Sequence, residues 1–316
     1  MRSEWSGTES EVGEAVRALV VGGLVILPTE TVYGLAADAS NPGAVAKLYA
    51  AKGRPAFNPL IAHVSDVGLA ARVARMDVEA MRLAEAFWPG PLTIVAPVGP
   101  EGLVCDLARA GLDSVAVRSP RHPAAQAVLE AFGGAVVAPS ANRSGRPSPT
   151  TFADALAETG EAADAAIDGG RCEIGLESTV VAMLGGPPRL LRPGAVTRDD
   201  LEAVIGPLTE AEAGADAHRS PGRLARHYAP ASAMRLDATA PRVGEAFLAF
   251  GPVPPGTTGF NLSASGDLAE AAANLFSYLR AADALAPTAI AVAPIPARGL
   301  GEAINDRLRR AAGQVG

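Results

Sequence analysis

Apolar residues recur along this chain in two rhythms, one of strands and one of helices, and the switches between them mark its elements. Leu24-Val25-Ile26-Leu27 is short, apolar and β-branched, so it reads as a buried strand that stops at Pro28. Before it, Val12, Ala15, Val16 and Leu19 recur at helical spacing, opened by a capping box over Thr8-Glu9-Ser10-Glu11 and closed at Gly22-Gly23. Asn41-Pro42 opens a second helix, which runs through Leu48 towards Gly53. Leu60 to Val64 reads as a strand, and Asp77 caps a helix to Trp88. Thr93–Val98, Ser114–Arg118 and Ala135–Ala138 read as further strands; Ser178–Val181 starts one and Leu190–Gly194 ends one. Thr151 caps a helix, and Thr197 caps another over Asp199–Ile205. Buried strands interleaved with amphipathic helices predict an α/β fold.

The rhythm breaks after Gly206. Pro207 to Arg219 has no apolar period and reads as a linker. Ser220 to Pro230 (SPGRLARHYAP) then sets Arg223, Arg226, His227 and Tyr228 between prolines. Such a segment, hinged at Pro221-Gly222, could close over a nucleotide or strap two domains together. From Ala231 a smaller α/β unit follows, with strands at Ala246–Phe250 and Ile290–Ala293. Its first helix is capped by Asp267 and carries Leu268, Ala272, Leu275, Leu279 and Ala282; its last spans 301–312. The predicted organisation is a domain over 1–206, a linker over 207–230 and a second domain over 231–316.

Composition narrows the function classes. At 316 residues and 48% hydrophobic, the chain can fill two cores, and with 4% aromatics those cores are aliphatic. A net charge of −7 argues against a generally basic nucleic-acid surface, so any anion site is a local gathering of cations. Cys105 and Cys172 make no metal pattern and suit reduced thiols in a cytosol. His63, His122, His218 and His227 show no zinc-ligand spacing. No apolar leader or membrane-length stretch is present, which predicts a soluble, cytoplasmic protein.

The chemistry concentrates where strands end. Thr29, Thr31 and Tyr33 follow the first strand, and Lys52 and Arg54 follow the second helix. Arg54 precedes Pro55, which pushes it towards extended backbone; if Lys52 shares that path, both cations face one side. The plainer reading is a solvated surface turn. Against it, only two of the 27 basic Lys and Arg side chains are lysines, Lys47 and Lys52, so Lys52 suits a wanted point charge. Arg118 ends a strand just before a turn, where α/β folds build sites, although a surface ion pair fits its spacing equally well. Ser140 and Asn142 have the same i, i+2 relation as Lys52 and Arg54. Ser148 could donate to phosphate or could serve a turn, and His63 could be a plain core histidine. Phosphate-binding Gly loops and nucleophile–His motifs are absent from the sequence, so positioning and charge stabilisation are favoured over covalent catalysis.

PTETVYGLAADASNPGAVAKLYAAKGRPAFNPLIAHV, SVAVRSP at 114–120, APSANRSG at 138–145, ESTV at 177–180 and LLRPG at 190–194 closely resemble the YrdC-type domain of threonylcarbamoyl-AMP synthases. SPGRLARHYAP and the tail after it resemble the two-domain form, although Arg-Leu-Ala at 223–225 departs from the common SPGMKYRHYAP. The resemblance implies a twisted, open mixed sheet with helices around a basic cavity, plus a Rossmann-like C-terminal domain. It implies conversion of ATP, L-threonine and bicarbonate to threonylcarbamoyl-AMP and pyrophosphate, with Mg²⁺ accompanying ATP. The product would pass to the machinery that modifies tRNA. Residue by residue, it implies threonine contacts at Thr31, His63, Arg118, Ala138 (through its backbone) and Ser178, with Arg118 opposite the carboxylate. It implies ATP contacts at Arg54, Asn58, Ser114, Ser140, Ser148 and Arg192, with Lys52 and Asn142 completing a tetrad with Arg54 and Ser140, and Tyr228 covering the nucleotide. Lys52 and Arg54 are the expected catalytic cations. Two rivals remain: weak tRNA or double-stranded RNA binding by a basic face, and a hydrogenase-maturation carbamoyltransferase, whose zinc-finger cysteines this chain lacks.

Overall fold

A computed structural model describes residues 9–211, 227–253 and 259–314. The chain begins α1 (Glu9–Val20), β1 (Val25–Leu27), β2 (Gly34–Asp38), α2 (Pro42–Lys52), β3 (Ile61–His63), α3 (Val67–Val73), α4 (Val78–Phe87) and β4 (Leu92–Pro97). It continues β5 (Ser114–Arg118), α5 (Pro123–Phe132), β6 (Val136–Val137), α6 (Phe152–Thr159), β7 (Ala165–Ala166), β8 (Thr179–Ala182), β9 (Arg189–Arg192), α7 (Arg198–Ile205) and β10 (Thr209–Glu210). The second unit runs β11 (Met234–Arg235), β12 (Glu245–Ala249), β13 (Phe260–Asn261), α8 (Leu268–Ala284), β14 (Ala289–Val292) and α9 (Leu300–Ala311).

The first ten strands form one mixed sheet in the order β10-β9-β8-β4-β5-β3-β6-β2-β1-β7. Strand periodicity decides which core each residue joins. On β1, Val25 and Leu27 pack with α1 and α5, whereas Ile26 joins the larger core on the opposite face. The side chains of Asn41, Asp77, Thr151, Thr197 and Asp267 cap α2, α4, α6, α7 and α8 as the sequence predicts. Thr8, the expected first cap, lies outside the described residues, as do Arg223 and Arg226. The strands of the second unit pair in parallel in the order β11-β14-β12-β13, packed against α8 and α9.

The sequence pattern does not predict α3, β7, β11 or β13, and two further departures bear on the large sheet. Gly34–Asp38 is an interior strand between β6 and β1, and the stretch read as linker from 207 contributes Thr209–Glu210 to the sheet edge, parallel to β9. Edge pairing is made by main-chain groups and needs no apolar period, so the sequence carries little sign of it.

The second unit docks closely on the first. Arg171 bonds Asn274 at 2.7 Å, and Thr150 bonds Ser277 at 2.8 Å. Gly175, at φ 76°, sits where an added Cβ would lie 2.6 Å from the Cα of Ala273 on α8. Only glycine tolerates that approach at that backbone angle.

Candidate active site

A hollow forms over the middle of the large sheet, and its floor follows from strand register. Ile61 and His63 point the same way from β3, and their partners on parallel β5 are Ala116 and Arg118. Ser114 shares that face with Arg118, four residues and about 13 Å away along the strand. The floor therefore has two ends. Thr31, His63, Arg118, Ala138 and Ser178 lie towards one and line the hollow, as do Arg54, Ser140, Glu177, Arg192 and Tyr228. Ser114, on the floor face of β5, and Asn58, whose neighbour Pro59 is bonded by Arg54, lie at the far end outside the lining itself.

Each cation is held by backbone or by a buried acid. Arg118 bonds Glu30 at 2.7 Å, the Thr31 hydroxyl at 2.9 Å and the Gly90 carbonyl at 3.1 Å. Glu30 is fixed in turn by the Arg121 amide at 3.0 Å. Arg118 is thus neither a surface pair nor a bare cation: three of its five N–H donors are engaged in these bonds and two are left for a ligand carboxylate. Arg192 donates from Nε (3.0 Å) and Nη2 (2.9 Å) to the Ser178 carbonyl, and Nη2 also reaches the Ser178 hydroxyl at 3.1 Å. Arg54 donates to the carbonyls of Asn58 (3.1 Å) and Pro59 (2.9 Å), and burial pulls its guanidinium down to about 10.

Lys52 stands differently from the expectation. It is the last residue of α2, not part of an extended path with Arg54, because Gly53 takes the left-handed region at φ 57° and turns the chain. The Lys52 amine is buried behind the wall, outside the lining, and donates to the carbonyls of Ser140 and Asn142. Burial, and then the charge of Arg54, lower its proton affinity well below the ordinary value. Ser140 and Asn142 likewise do not share one side. The Asn142 amide turns away to the carbonyls of Arg143 (2.8 Å) and Arg146 (3.0 Å). Ser148 donates its hydroxyl to Glu177, which does line the hollow.

Glu30 and Glu177 are the functional-site residues that sequence reasoning passes over. No local signal marks either: their ion-pair partners lie 88 and 130 residues away, and only the fold buries the carboxylates, where an unpaired charge would cost several kcal/mol.

The strap residues His227 and Tyr228 also line the hollow, a cavity of about 50 Å³. Tyr228 adopts φ 61°, and both the His227 Nδ1 and the Tyr228 hydroxyl are buried with no hydrogen-bond partner among the described residues.

Burial, aided by Arg118, depresses His63 to about 3; burial also takes His227 to about 3. Both are neutral when folded and protonate near 6.5 when unfolded, so the unfolded chain binds more protons between those values. Stability is therefore full above pH 6.5 and falls as pH drops towards 3. From pH 7 to 5 the two histidines together cost about 4 kcal/mol. The urea midpoint should fall accordingly, and His227→Gln should remove about half of the fall. A midpoint that does not move over this range would contradict the neutral burial.

A mixed sheet carrying an arginine-lined hollow on one face, with a second α/β unit docked on its wall, defines a two-unit α/β protein suited to anionic small molecules. Residues 17–194 match the family described as Telomere recombination (Sua5, YciO and YrdC), and residues 196–313 match the threonylcarbamoyl-AMP synthase C-terminal domain. The threonylcarbamoyl-AMP synthase of Pyrococcus abyssi is 38% identical over 311 residues, covering 92% of this chain and 91% of its own. That of Bacillus subtilis is 40% identical over 237 residues, covering 74% and 68%. The crystal structure of P. abyssi Sua5 complexed with L-threonine superposes with a TM-score of 0.89 at 36% identity, covering 97% of this chain and 95% of that one. This chain belongs to the threonylcarbamoyl-AMP synthases. It is an enzyme that makes an adenylate, the first step of threonylcarbamoyladenosine synthesis in tRNA.

Proposed function

We propose that the hollow seats L-threonine at its Arg118 end and ATP at its Arg54 end, and that the enzyme acts as a nucleotidyltransferase. The observation that supports this reading is the shared lining: Arg118, Arg54 and Arg192 face one hollow together with Thr31, His63, Ser140 and Ser178. The threonine carboxylate takes the two remaining donors of Arg118, a charge-assisted pair. Thr31, His63, the Ala138 backbone and Ser178 surround the amino acid. Arg54 and Arg192 face the phosphates, while Asn58, Ser114, Ser140 and Ser148 complete the nucleotide side. Lys52, with Asn142, sets the wall loop that bears Ser140.

Bicarbonate supplies CO₂, which the threonine amine takes up as a carbamate. A carbamate oxygen then attacks the α-phosphorus of ATP, and the bond to the β-phosphate oxygen breaks to release pyrophosphate. Held cations stabilise the charge spread over the reacting phosphate. Mg²⁺ fits as an ion carried by the triphosphate and water. Among the described residues the one carboxylate lining the hollow, Glu177, is engaged by Ser148 and Arg307. Such an ion would neutralise phosphate charge. The present cavity is far below the roughly 300 Å³ of a small-molecule pocket, so its lining must rearrange for ATP to enter.

The reading also makes the protein cytoplasmic and hands its labile product to the enzymes that transfer threonylcarbamoyl to tRNA. Among the described residues no helix is long and apolar enough to cross a membrane. The test combines ATP, bicarbonate and threonine and omits each in turn. Pyrophosphate release and an adduct of the expected mass should need all three. Pyrophosphate released equally without threonine would overturn the assignment.

A further inference from the structure

One side chain of the second unit pairs directly with an acid in the wall of the hollow. Arg307, on α9, is 0% exposed and lies 130 residues from its partner Glu177, which it bonds from Nε at 2.8 Å. Its Nη1 bonds Asp306 at 2.8 Å, and Asp306 is held in turn by Arg310 at 3.0 Å. The guanidinium also lies over the Tyr228 ring, 5.3 Å from its centroid. Glu177 meanwhile lines the hollow in company with Arg54 and Arg192.

A carboxylate placed there is a hazard to nucleotide binding. Unpaired, it would repel a triphosphate and attract the arginines that should meet the phosphates. Burial tends to neutralise Glu177, but the charges of Arg307 and then Arg192 outweigh this and keep it ionised. The negative charge is therefore permanent at working pH, and something must hold it.

We propose that Arg307 is a positioning residue for ATP: it pairs with Glu177 and so keeps that carboxylate from competing with the triphosphate for Arg54 and Arg192. This rests on the nucleotide placement above. It gives the second unit a definite task, that of supplying the counter-charge to an acid in the wall of the first.

The test measures ATP and L-threonine affinity separately in full-length Arg307→Met, and again in Arg307→Met/Glu177→Gln. ATP binding should weaken at least tenfold in the single variant, with L-threonine affinity within threefold of the parent. Removing the stranded charge should restore ATP affinity to within about threefold in the double variant, a recovery that a merely structural role for Arg307 would not give. Equal loss of both ligands, or no recovery in the double variant, would overturn the proposal. Arg54→Ala and Arg192→Ala form the control arm: if neither weakens ATP binding, the nucleotide placement itself fails. If both weaken it while Arg307→Met does not, only the role of Arg307 fails.

Discussion

Arg54→Ala should cut turnover by about 10³-fold, the scale for removing a phosphate-facing arginine, while shifting thermal stability little. Its internal bonds go to two carbonyls on its own loop. Lys52→Ala should cut turnover by at least about 10²-fold, the cost of misplacing a site group by an ångström, and should destabilise the fold as well. Lys52 is 3% exposed and ties the end of α2 to the carbonyls of Ser140 and Asn142. Stripping both carbonyls of their donor costs roughly 1–3 kcal/mol each, offset in part because a buried amine no longer has to be desolvated. The net loss is about 2 kcal/mol. Lys52→Arg should not rescue, since the branched guanidinium does not fit the narrow space between two carbonyls. Pyrophosphate release and thermal unfolding, measured on each variant, separate the two roles. Unchanged turnover in both would remove them from the machinery.

That contrast corrects a symmetry that the sequence suggests. Lys52 and Arg54 look like a matched pair because they stand two apart before a proline. Gly53 breaks the pair, one cation closing a helix and the other lining the hollow. Such a left-handed turn is permitted by glycine but not announced by it. What the sequence reveals well is local: the caps at Asn41, Asp77, Thr151, Thr197 and Asp267 act through residues two or three positions away, within reach of a sequence window. The hydroxyl-and-cation character of the strand ends is legible for the same reason. What it hides is long-range. Glu30 lies 88 residues from Arg118 and Glu177 lies 130 from Arg307, and each acid looks like a solvated side chain until the fold buries it. Arg307 sits in the run Arg-Leu-Arg-Arg, which reads as an exposed basic face, yet Arg307 and Arg310 are buried and only Arg309 is exposed.

A chain ended at residue 211 should fold but turn over at least about 10²-fold more slowly than the full-length enzyme, because the second unit builds part of the hollow's wall. The cores on both faces of the large sheet are complete without it. Val32 and Leu176 are not: both are buried in the core of the second unit and would meet water, at roughly 1.5–3 kcal/mol each. The fragment should therefore be less stable by about 4 kcal/mol. Two wall segments would also lose their supports. Arg280 bonds the Pro147 carbonyl beside Ser148, and Arg307 bonds Glu177. Without them the loop bearing Ser148 loosens, and the Glu177 carboxylate turns on Arg192, its neighbour in the lining. Tyr228 would be missing altogether, and with it part of the hollow's lining. Steady-state pyrophosphate release by the fragment, alongside circular dichroism to show that it folds, tests this directly. A folded fragment as active as the whole chain would mean that the first unit holds its wall unaided, and that the buried Glu177–Arg307 pair serves only to dock the second.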